Sequence, residues 1–180
     1  NTFLQERGAP VSLVLYCLLR KRADDGTVRF FMIRKQGHWT FPPTKFRPGE
    51  DLYSALVRPM EEDLGIPSGS YFPEQELDMI PNAGTTVRYD GLPKQWYLYP
   101  VDISLTQEAF SKLNDLPEND RWWTLDQILE EAKERNVLAM ANHILKNCPE
   151  LTREVPSGPS MDALASHWAR RNESGVRVVQ

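Results

Sequence analysis

The stretch "FRPGEDLYSALVRPMEEDLGI", residues 46–66, decides the fold of this chain. Asp51 has the residue type and position of a helix N-cap, and Gly65 followed by Pro67 is a typical helix end. At about 100° per residue, the apolar side chains between them fall on one arc, with the spacing of a core-facing helix. They are Tyr53, Leu56, Val57, Met60 and Leu64. The pattern therefore predicts a helix that packs this apolar stripe on a sheet.

Two consecutive carboxylates, Glu62 and Asp63, are predicted to project beside the stripe and not into it. Carboxylate oxygens suit Mg²⁺ or Mn²⁺, which keep several waters and are completed by substrate phosphates. The alternative is an ordinary solvated acidic run, at a helix end where the dipole disfavours acids. Glu61 falls on the far side of the wheel and is predicted to point toward solvent.

Strand patterns lie on both sides of this helix. The runs "VSLVLYCLLRK" at 11–21 and "VRFFMIRK" at 28–35 enclose a turn that contains Asp-Gly, and together they predict a hairpin. Three further strand candidates follow the helix: "ELDMI" at 76–80, "GTTVRYD" at 84–90 and "KQWYLYPVDI" at 94–103. The centre of the chain is therefore predicted to be mostly sheet.

Helical spacing returns after residue 123. Thr124 with Gln127 three residues later predicts a capping box at the start of a helix, and a second helix is predicted at about 136–147. A helix inserted among strands, followed by a strand and helices, predicts an α/β or α+β fold with a mixed sheet and helices on both faces.

The segment from Thr44 to Ile66 resembles the Nudix box of the Nudix hydrolases. That motif is a glycine, five residues, a glutamate, seven residues, and then Arg-Glu-aliphatic-any-Glu-Glu-any-Gly-aliphatic. Six positions match at the correct intervals: Glu50, Arg58, Met60, Glu62, Gly65 and Ile66. The neighbouring elements resemble the family's order over about residues 10–147. The resemblance implies an α/β fold, a Nudix-like α/β/α sandwich with a mixed β-sheet and flanking helices.

The resemblance also implies an activity. Nudix hydrolases cleave a phosphoanhydride bond in a nucleoside diphosphate linked to another group, with a divalent metal, here Mg²⁺ or Mn²⁺, held by the box helix. By this resemblance the metal ligands would be Glu62, Asp63 and the backbone carbonyl of Thr44. Glu50 and Arg58 would form a supporting salt bridge.

Catalysis in this family also needs a carboxylate that activates water. Glu62 is one candidate, and Glu118 and Asp120 are others, because some relatives take the base from a later loop. Glu108 is a further candidate near that loop. The alternative is that the later acids are only loop charges or helix caps.

Three positions depart from the motif. Thr44 replaces the first glycine, Asp63 replaces the last glutamate, and Pro59 replaces the glutamate after the arginine. Pro59 is the largest change, because it removes a carboxylate and also the helix hydrogen bond to the carbonyl of Ala55, which predicts a bent helix. The alternative function is therefore a Nudix-fold binding or scaffold module that is catalytically inactive.

Side chains near the box are candidates for binding an anionic substrate. Lys35, Lys45 and Arg47 could hold phosphates, and Trp39 could stack on a nucleobase. Trp96 or Tyr97 could also stack, although core packing is the better interpretation of that pair. The alternative for the three cations is ordinary surface charge.

Composition limits the partners. The chain has 180 residues and a net charge of −4, which argues against a membrane partner and against broad nucleic-acid binding. The small-molecule partner, a nucleoside diphosphate derivative, is what the resemblance implies. Only Cys17 and Cys148 are present, and no apolar run has membrane-spanning length, so we expect a cytoplasmic protein. A removed N-terminal leader stays open.

The expected organisation is a Nudix-like domain over residues 1–148 and a second segment over residues 149–180. This second segment is predicted to be a linker, an amphipathic helix and a tail. The predicted apolar face of that helix consists of Met161, Leu164, Ala165 and Trp168. The face is expected to pack back on the domain, and contact with a partner or with a second copy in a homodimer is the alternative.

Overall fold

The computed structural model describes residues 11–81, 86–87, 93–117 and 121–174. A mixed sheet with the strand order β10-β2-β1-β9-β6 forms its middle layer, while β5 pairs with β1, and β7 and β8 pair with β9. The strands are β1 (Val11–Arg22), β2 (Val28–Phe31), β3 (Ile33–Lys35), β4 (His38–Thr40), β5 (Pro43–Lys45), β6 (Tyr71–Glu76), β7 (Ile80–Pro81), β8 (Thr86–Val87), β9 (Pro93–Leu105) and β10 (Trp122–Trp123).

Helices cover both faces of the sheet. They are α1 (Leu52–Leu56), which continues as a π-helix (Val57–Asp63), α2 (Gln107–Asn114), α3 (Leu125–Glu131), α4 (Arg135–Asn147) and α5 (Met161–Ser174), with a 3₁₀ turn at Pro149–Thr152. Asp51 caps α1, since its side chain accepts a hydrogen bond from the Ser54 amide at 2.8 Å. Thr124 and Gln127 form the predicted capping box of α3.

Alternation along β1 explains the two layers. Leu15, Cys17 and Leu19 are fully buried on the side of α1 and α2, whereas Tyr16 and Leu18 face the cluster formed with α3 and α4. Successive side chains of a strand point to opposite faces, so one long central strand fills both halves of the core. The predicted α/β class, with a mixed sheet between helices, is confirmed.

Two strand predictions need correction. The run 28–35 is not one strand, because β2 ends at Phe31, the Met32 amide donates to the carbonyl of Arg121, and β3 pairs with β4 in a separate hairpin. The strand predicted at 76–80 is also wrong in its interior. Only its first and last residues, Glu76 in β6 and Ile80 in β7, are in strands. Between them, the amide of Leu77 donates a hydrogen bond to the carbonyl of Pro100 on β9. Of the strand predicted at 84–90, most lies outside the described residues.

The segment after α4 is tied to the sheet by an arginine. Arg20 on β1 makes a buried bidentate ion pair with Asp102 on β9, with distances of 2.9 and 2.8 Å. Its third nitrogen donates to the carbonyls of Leu151 and Glu154. Burial raises the pKa of Asp102, and the charge and hydrogen bonds of Arg20 oppose that rise.

Helix α5 packs back on the domain through a histidine. His167 is fully buried, with ring centroids 5.0 Å from Tyr53 on α1 and 5.4 Å from Tyr71 on β6. Of the predicted apolar face, Met161 is 80% exposed and Ala165 is exposed, so the burial of these two is wrong, whereas Leu164 is half-buried. The side chain of Trp168 lies outside the part of the chain that is described. Among the described residues, no helix is long and apolar enough to span a membrane.

Candidate active site

The box helix changes its pitch around Pro59. After one turn of α-helix, the backbone continues as a π-helix, in which the Leu64 amide donates to the Pro59 carbonyl five residues earlier at 3.2 Å. Proline lacks an amide hydrogen, and in an α-helix its ring collides with the carbonyl four residues before it. The wider turn relieves that collision and leaves Pro59 buried against the core. The single α-helix expected for this region is therefore two segments.

Arg58 braces the loop that precedes the helix. It donates to both carboxylate oxygens of Glu50, at 2.5 and 2.7 Å, to the Thr44 hydroxyl at 3.0 Å and to the Lys45 carbonyl at 2.8 Å. Burial works to raise the pKa of Glu50, but the hydrogen bonds from Arg58 and from the Arg47 amide outweigh it, so that the pKa is lowered. The pKa of Arg58 is raised, first by its hydrogen bond to Glu50.

Glu62 and Asp63 are both exposed and close to this brace. Their charges contribute to the raised pKa of Arg58. The charge of Asp63 also adds to the effect of burial in raising the pKa of the Cys17 thiol in β1. In the part of the chain that the structure describes, no group of three or more histidine, cysteine or acidic side chains converges. Two neighbouring carboxylates nevertheless fit Mg²⁺, which proteins commonly hold with one or two carboxylates and substrate phosphates. Glu62 and Asp63 would hold such an ion.

Glu61 has a different environment from its two neighbours. Its side chain is half-buried, and its carboxylate accepts a hydrogen bond from the hydroxyl of Tyr71 on β6. The prediction that Glu61 points to solvent is therefore wrong. The side chain belongs to the interface between the box helix, β6 and α5, on which His167 also packs.

A cleft of about 520 Å³ opens beside the box, and we call it the box cleft. Thr44 lines it and is also the residue whose hydroxyl contacts Arg58, so the cleft and the brace share this strand. Lys35 and Lys45 line the cleft as well, and the Lys45 ammonium lies 4.6 Å from the ring centroid of Trp96. The cleft thus combines cations with an aromatic wall.

The lining of the box cleft also contains residues that the sequence analysis missed. Glu134, at the start of α4, has a raised pKa, because burial outweighs the nearby charge of His38. Burial also raises the pKa of Tyr16 to about 12, against the effect of a hydrogen bond from Asn136. The helical pattern placed α4 at this point but gave no signal that its first residues would face a cleft.

The other candidate residues lie elsewhere. Trp39 lines a different cleft from its strand neighbours. His38 and Thr40 face the box cleft, and the side chain between them points to the opposite side of the strand. Arg47 is exposed and contributes its backbone amide to Glu50. Glu108 lies in the first turn of α2 and accepts a hydrogen bond from Ser70 at 3.2 Å. Glu118 and Asp120 lie outside the described residues.

Comparison with protein families gives a match to the NUDIX domain over residues 14–142, most of the chain. The chain belongs to the Nudix family. The matched region ends inside α4, so the Arg20-bound segment and α5 follow the Nudix match. Members of this family generally use divalent metals.

Similar sequences agree with this assignment, and similar solved structures share the fold. RNA pyrophosphohydrolases of Legionella pneumophila, strains Corby and Lens, are each 28% identical over 116 residues, covering 54% of this chain and 62% of the relative. The Nudix chain thus spans less than two thirds of these relatives. Shewanella oneidensis NrtR matches with a TM-score of 0.54 and 15% identity, over 89% of this chain and 84% of NrtR. The Caenorhabditis elegans Ap4A hydrolase matches with a TM-score of 0.50 and 16% identity, over 75% and 96%.

Proposed function

We propose that this Nudix domain is a metal-dependent pyrophosphohydrolase that cleaves a phosphoanhydride bond in a nucleoside diphosphate derivative. The observation that carries the proposal is the position of Glu62 and Asp63. Both are exposed next to the Arg58 brace, and that brace contacts Thr44 at the wall of the box cleft. Neither carboxylate lines the cleft, and the proposal is that an anionic substrate bound there extends past Thr44, so that its phosphates reach Glu62 and Asp63.

Each part of the site has a role in this reaction. A divalent ion, Mg²⁺ or Mn²⁺, held by Glu62 and Asp63 would neutralise phosphate charge and lower the pKa of a bound water. Lys35 and Lys45 would bind the phosphates through charge-assisted hydrogen bonds. Trp96 would contact the base, and the Arg58–Glu50 pair would fix the carbonyl of Thr44 near the phosphates.

The proton acceptor for the attacking water is part of the proposal. Pro59 removes the carboxylate next to Arg58, and the acceptors that we propose are Glu62 or an acid outside the box helix. Glu118 and Asp120 are the outside candidates. Separate Glu118→Gln and Asp120→Asn variants distinguish them, because loss of the base lowers kcat and removes one limb of the pH profile without weakening metal binding.

The test is a direct assay with a defined panel. The panel consists of nucleoside diphosphate sugars, dinucleoside polyphosphates and a 5′-triphosphorylated oligoribonucleotide, the last because the bacterial relatives are named RNA pyrophosphohydrolases. Each is incubated with Mg²⁺, with Mn²⁺ and with EDTA. Metal-dependent release of the nucleotide product from at least one member is expected. If every member stays intact under all metal conditions, the proposal is contradicted.

One observation favours a second candidate, an inactive Nudix-fold binding module. Pro59 is buried, and only two of the three helix positions that are glutamate in the motif hold an acid here, Glu62 and Asp63. Calorimetric titration together with the product assay distinguishes the candidates. A binding module would bind members of the panel and release no product, whereas the enzyme would bind them and cleave at least one.

Two further parts of the proposal concern context. We place the protein in the cytoplasm, since Cys17 and Cys148 are free thiols in the core. We also propose that α5, whose Met161 is 80% exposed, is the surface through which a second copy would bind. Sedimentation of the full chain and of a Met161→Glu variant tests this: a dimer lost on substitution is expected, and a wild-type monomer contradicts it.

A further inference from the structure

A second cleft, of about 680 Å³, lies at the edge of the sheet where β10 pairs with β2. Three half-buried tryptophans line it, Trp39, Trp122 and Trp123, and we call it the tryptophan cleft. The charged residues of its lining are Lys21, Arg22, Arg29, Asp24 and Glu131. Its volume lies within the roughly 300–1,000 Å³ that is typical of small-molecule sites.

The tryptophan rings are held in place by their packing. Trp39 and Trp123 lie with ring centroids 5.3 Å apart and planes tilted by 48°. Trp122 packs edge-on against the buried Phe31 at 5.1 Å. Indole rings fixed in this way lose little side-chain entropy when a ligand binds, and they offer flat surfaces for stacking.

Positive charge accompanies these rings. The Lys21 ammonium lies 4.5 Å from the ring centroid of Trp122 and makes no salt bridge within the described residues. Arg22 donates to the carbonyls of Gly26 and Arg153, which are neutral partners. Burial and the charge of Arg29 lower the pKa of Lys21, while Asp24 opposes them. Arg29 is paired with Asp25, and the carboxylates of Asp24 and Glu131 also line the cleft. The Lys21 ammonium beside Trp122 is therefore the cation that the phosphate of a molecule stacked on that ring would meet.

The tryptophan cleft is separate from the box cleft, although β4 contributes to both. His38 and Thr40 face the box cleft, and Trp39 between them faces the tryptophan cleft. This division follows from the alternation of side chains along a strand. None of the residues that line the tryptophan cleft belongs to the box helix.

We propose that the tryptophan cleft is a second nucleotide-binding site, in which a base stacks on the indole rings and phosphates contact Lys21. A simple anion would use the cations but not the rings, and an uncharged aromatic molecule would use the rings but not the cations. A nucleotide uses both. Stacking of a base on an aromatic side chain stabilises the complex without requiring a particular base. This site does not depend on hydrolysis at the box.

The test uses the full chain in EDTA, titrated calorimetrically with ADP, adenosine and inorganic pyrophosphate. Three single variants are compared with the wild type. Lys21→Gln alters the tryptophan cleft and Lys45→Gln alters the box cleft, while Lys146→Gln changes an exposed lysine of α4 that lines neither. Thermal unfolding of each variant verifies that the fold is retained.

The expected result is an ADP site that Lys21→Gln weakens about 10-fold or more, from the loss of one charge-assisted hydrogen bond. Lys45→Gln and Lys146→Gln should leave that site intact, and ADP should bind it more tightly than adenosine or pyrophosphate does. ADP binding that is indifferent to Lys21→Gln would overturn the proposal. Pyrophosphate binding as tightly as ADP would overturn it as well, because the rings would then contribute nothing.

Discussion

Arg58 and Glu50 form a bidentate ion pair across the box, with nitrogen–oxygen distances of 2.5 and 2.7 Å. The same guanidinium reaches the hydroxyl of Thr44 at 3.0 Å, so one side chain joins the box helix, the preceding loop and β5. Both side chains are mostly buried and the contact is bidentate, so this ion pair contributes more to stability than an ordinary surface salt bridge does.

Replacement of this arginine by lysine should be costly. Arg58→Lys keeps the positive charge but cannot make the paired hydrogen bonds to Glu50 together with those to Thr44 and Lys45. We expect the free energy of unfolding to fall by about 1.5–3 kcal/mol. Urea denaturation at pH 7 measures this, with exposed Arg47→Lys as the matched control. A loss no larger than that of the control would mean that the brace is not a stabilising element.

The same pair makes stability depend on acid pH. The pKa of Glu50 is lower in the folded chain than its ordinary value of 4.5, so the ionised carboxylate stabilises the fold. That contribution is complete above pH 4.5 and is lost as the pH falls through the folded value. The stability difference between wild type and Glu50→Gln should therefore be greatest at neutral pH and shrink below pH 4.5. A difference that is constant from pH 7 to pH 3 would contradict this assignment.

Pro59 determines the pitch of the box helix. Pro59→Ala restores an amide hydrogen that can donate to the Ala55 carbonyl, and it removes the ring that forces the wide turn. We expect α-helical pitch to return and the free energy of unfolding to rise by up to about 3 kcal/mol. Pro67→Ala, beyond the helix end, is the control and should have little effect. A destabilised Pro59→Ala variant would show that packing of the ring outweighs the backbone cost.

The buried pair Arg20–Asp102 anchors the C-terminal segment. Arg20→Met leaves the Asp102 carboxylate buried without its partner and removes the donor to the Leu151 carbonyl. We expect a loss of about 3–5 kcal/mol, and a smaller loss in the Arg20→Met/Asp102→Leu double variant. Thermal or urea unfolding gives both values. Equal losses in the single and double variants would mean that the carbonyl contacts, and not the ion pair, hold the segment.

Local signals made part of this structure predictable from sequence. The cap at Asp51 and the capping box of Thr124 and Gln127 each depend on residues three positions apart, and both are present. The alternation of long strands likewise predicted the α/β class. Strand β6 and helix α2 were not predicted. Pro73 interrupts the strand pattern of β6, and α2 buries only Ala109 and Leu113, which is too few for a clear helical pattern.

The site shows why the remainder was not predictable. A helical wheel assumes α-helical pitch, and the π-helix around Pro59 invalidates that assumption for Glu61. Its contact with Tyr71 also required the position of β6, which the sequence pattern did not reveal. Similarly, hydrophobicity gave no reason to bury His167 in preference to Met161, because that choice depends on the aromatic side chains packed against α5.

The central claim is that a box helix containing proline still presents a working pair of carboxylates. Glu61 is the matched control for Glu62, because it is the same residue type at the neighbouring position of the helix. Its carboxylate is hydrogen-bonded to Tyr71, whereas Glu62 is exposed. The decisive measurement is kcat/KM, with Mg²⁺, for wild type, Glu62→Gln and Glu61→Gln on the substrate found in the panel. We expect Glu62→Gln to lower it at least about 100-fold, or about 2.7 kcal/mol in transition-state stabilisation, and Glu61→Gln to change it less than about threefold. Equal effects of the two substitutions, or activity indifferent to Glu62, would contradict the account.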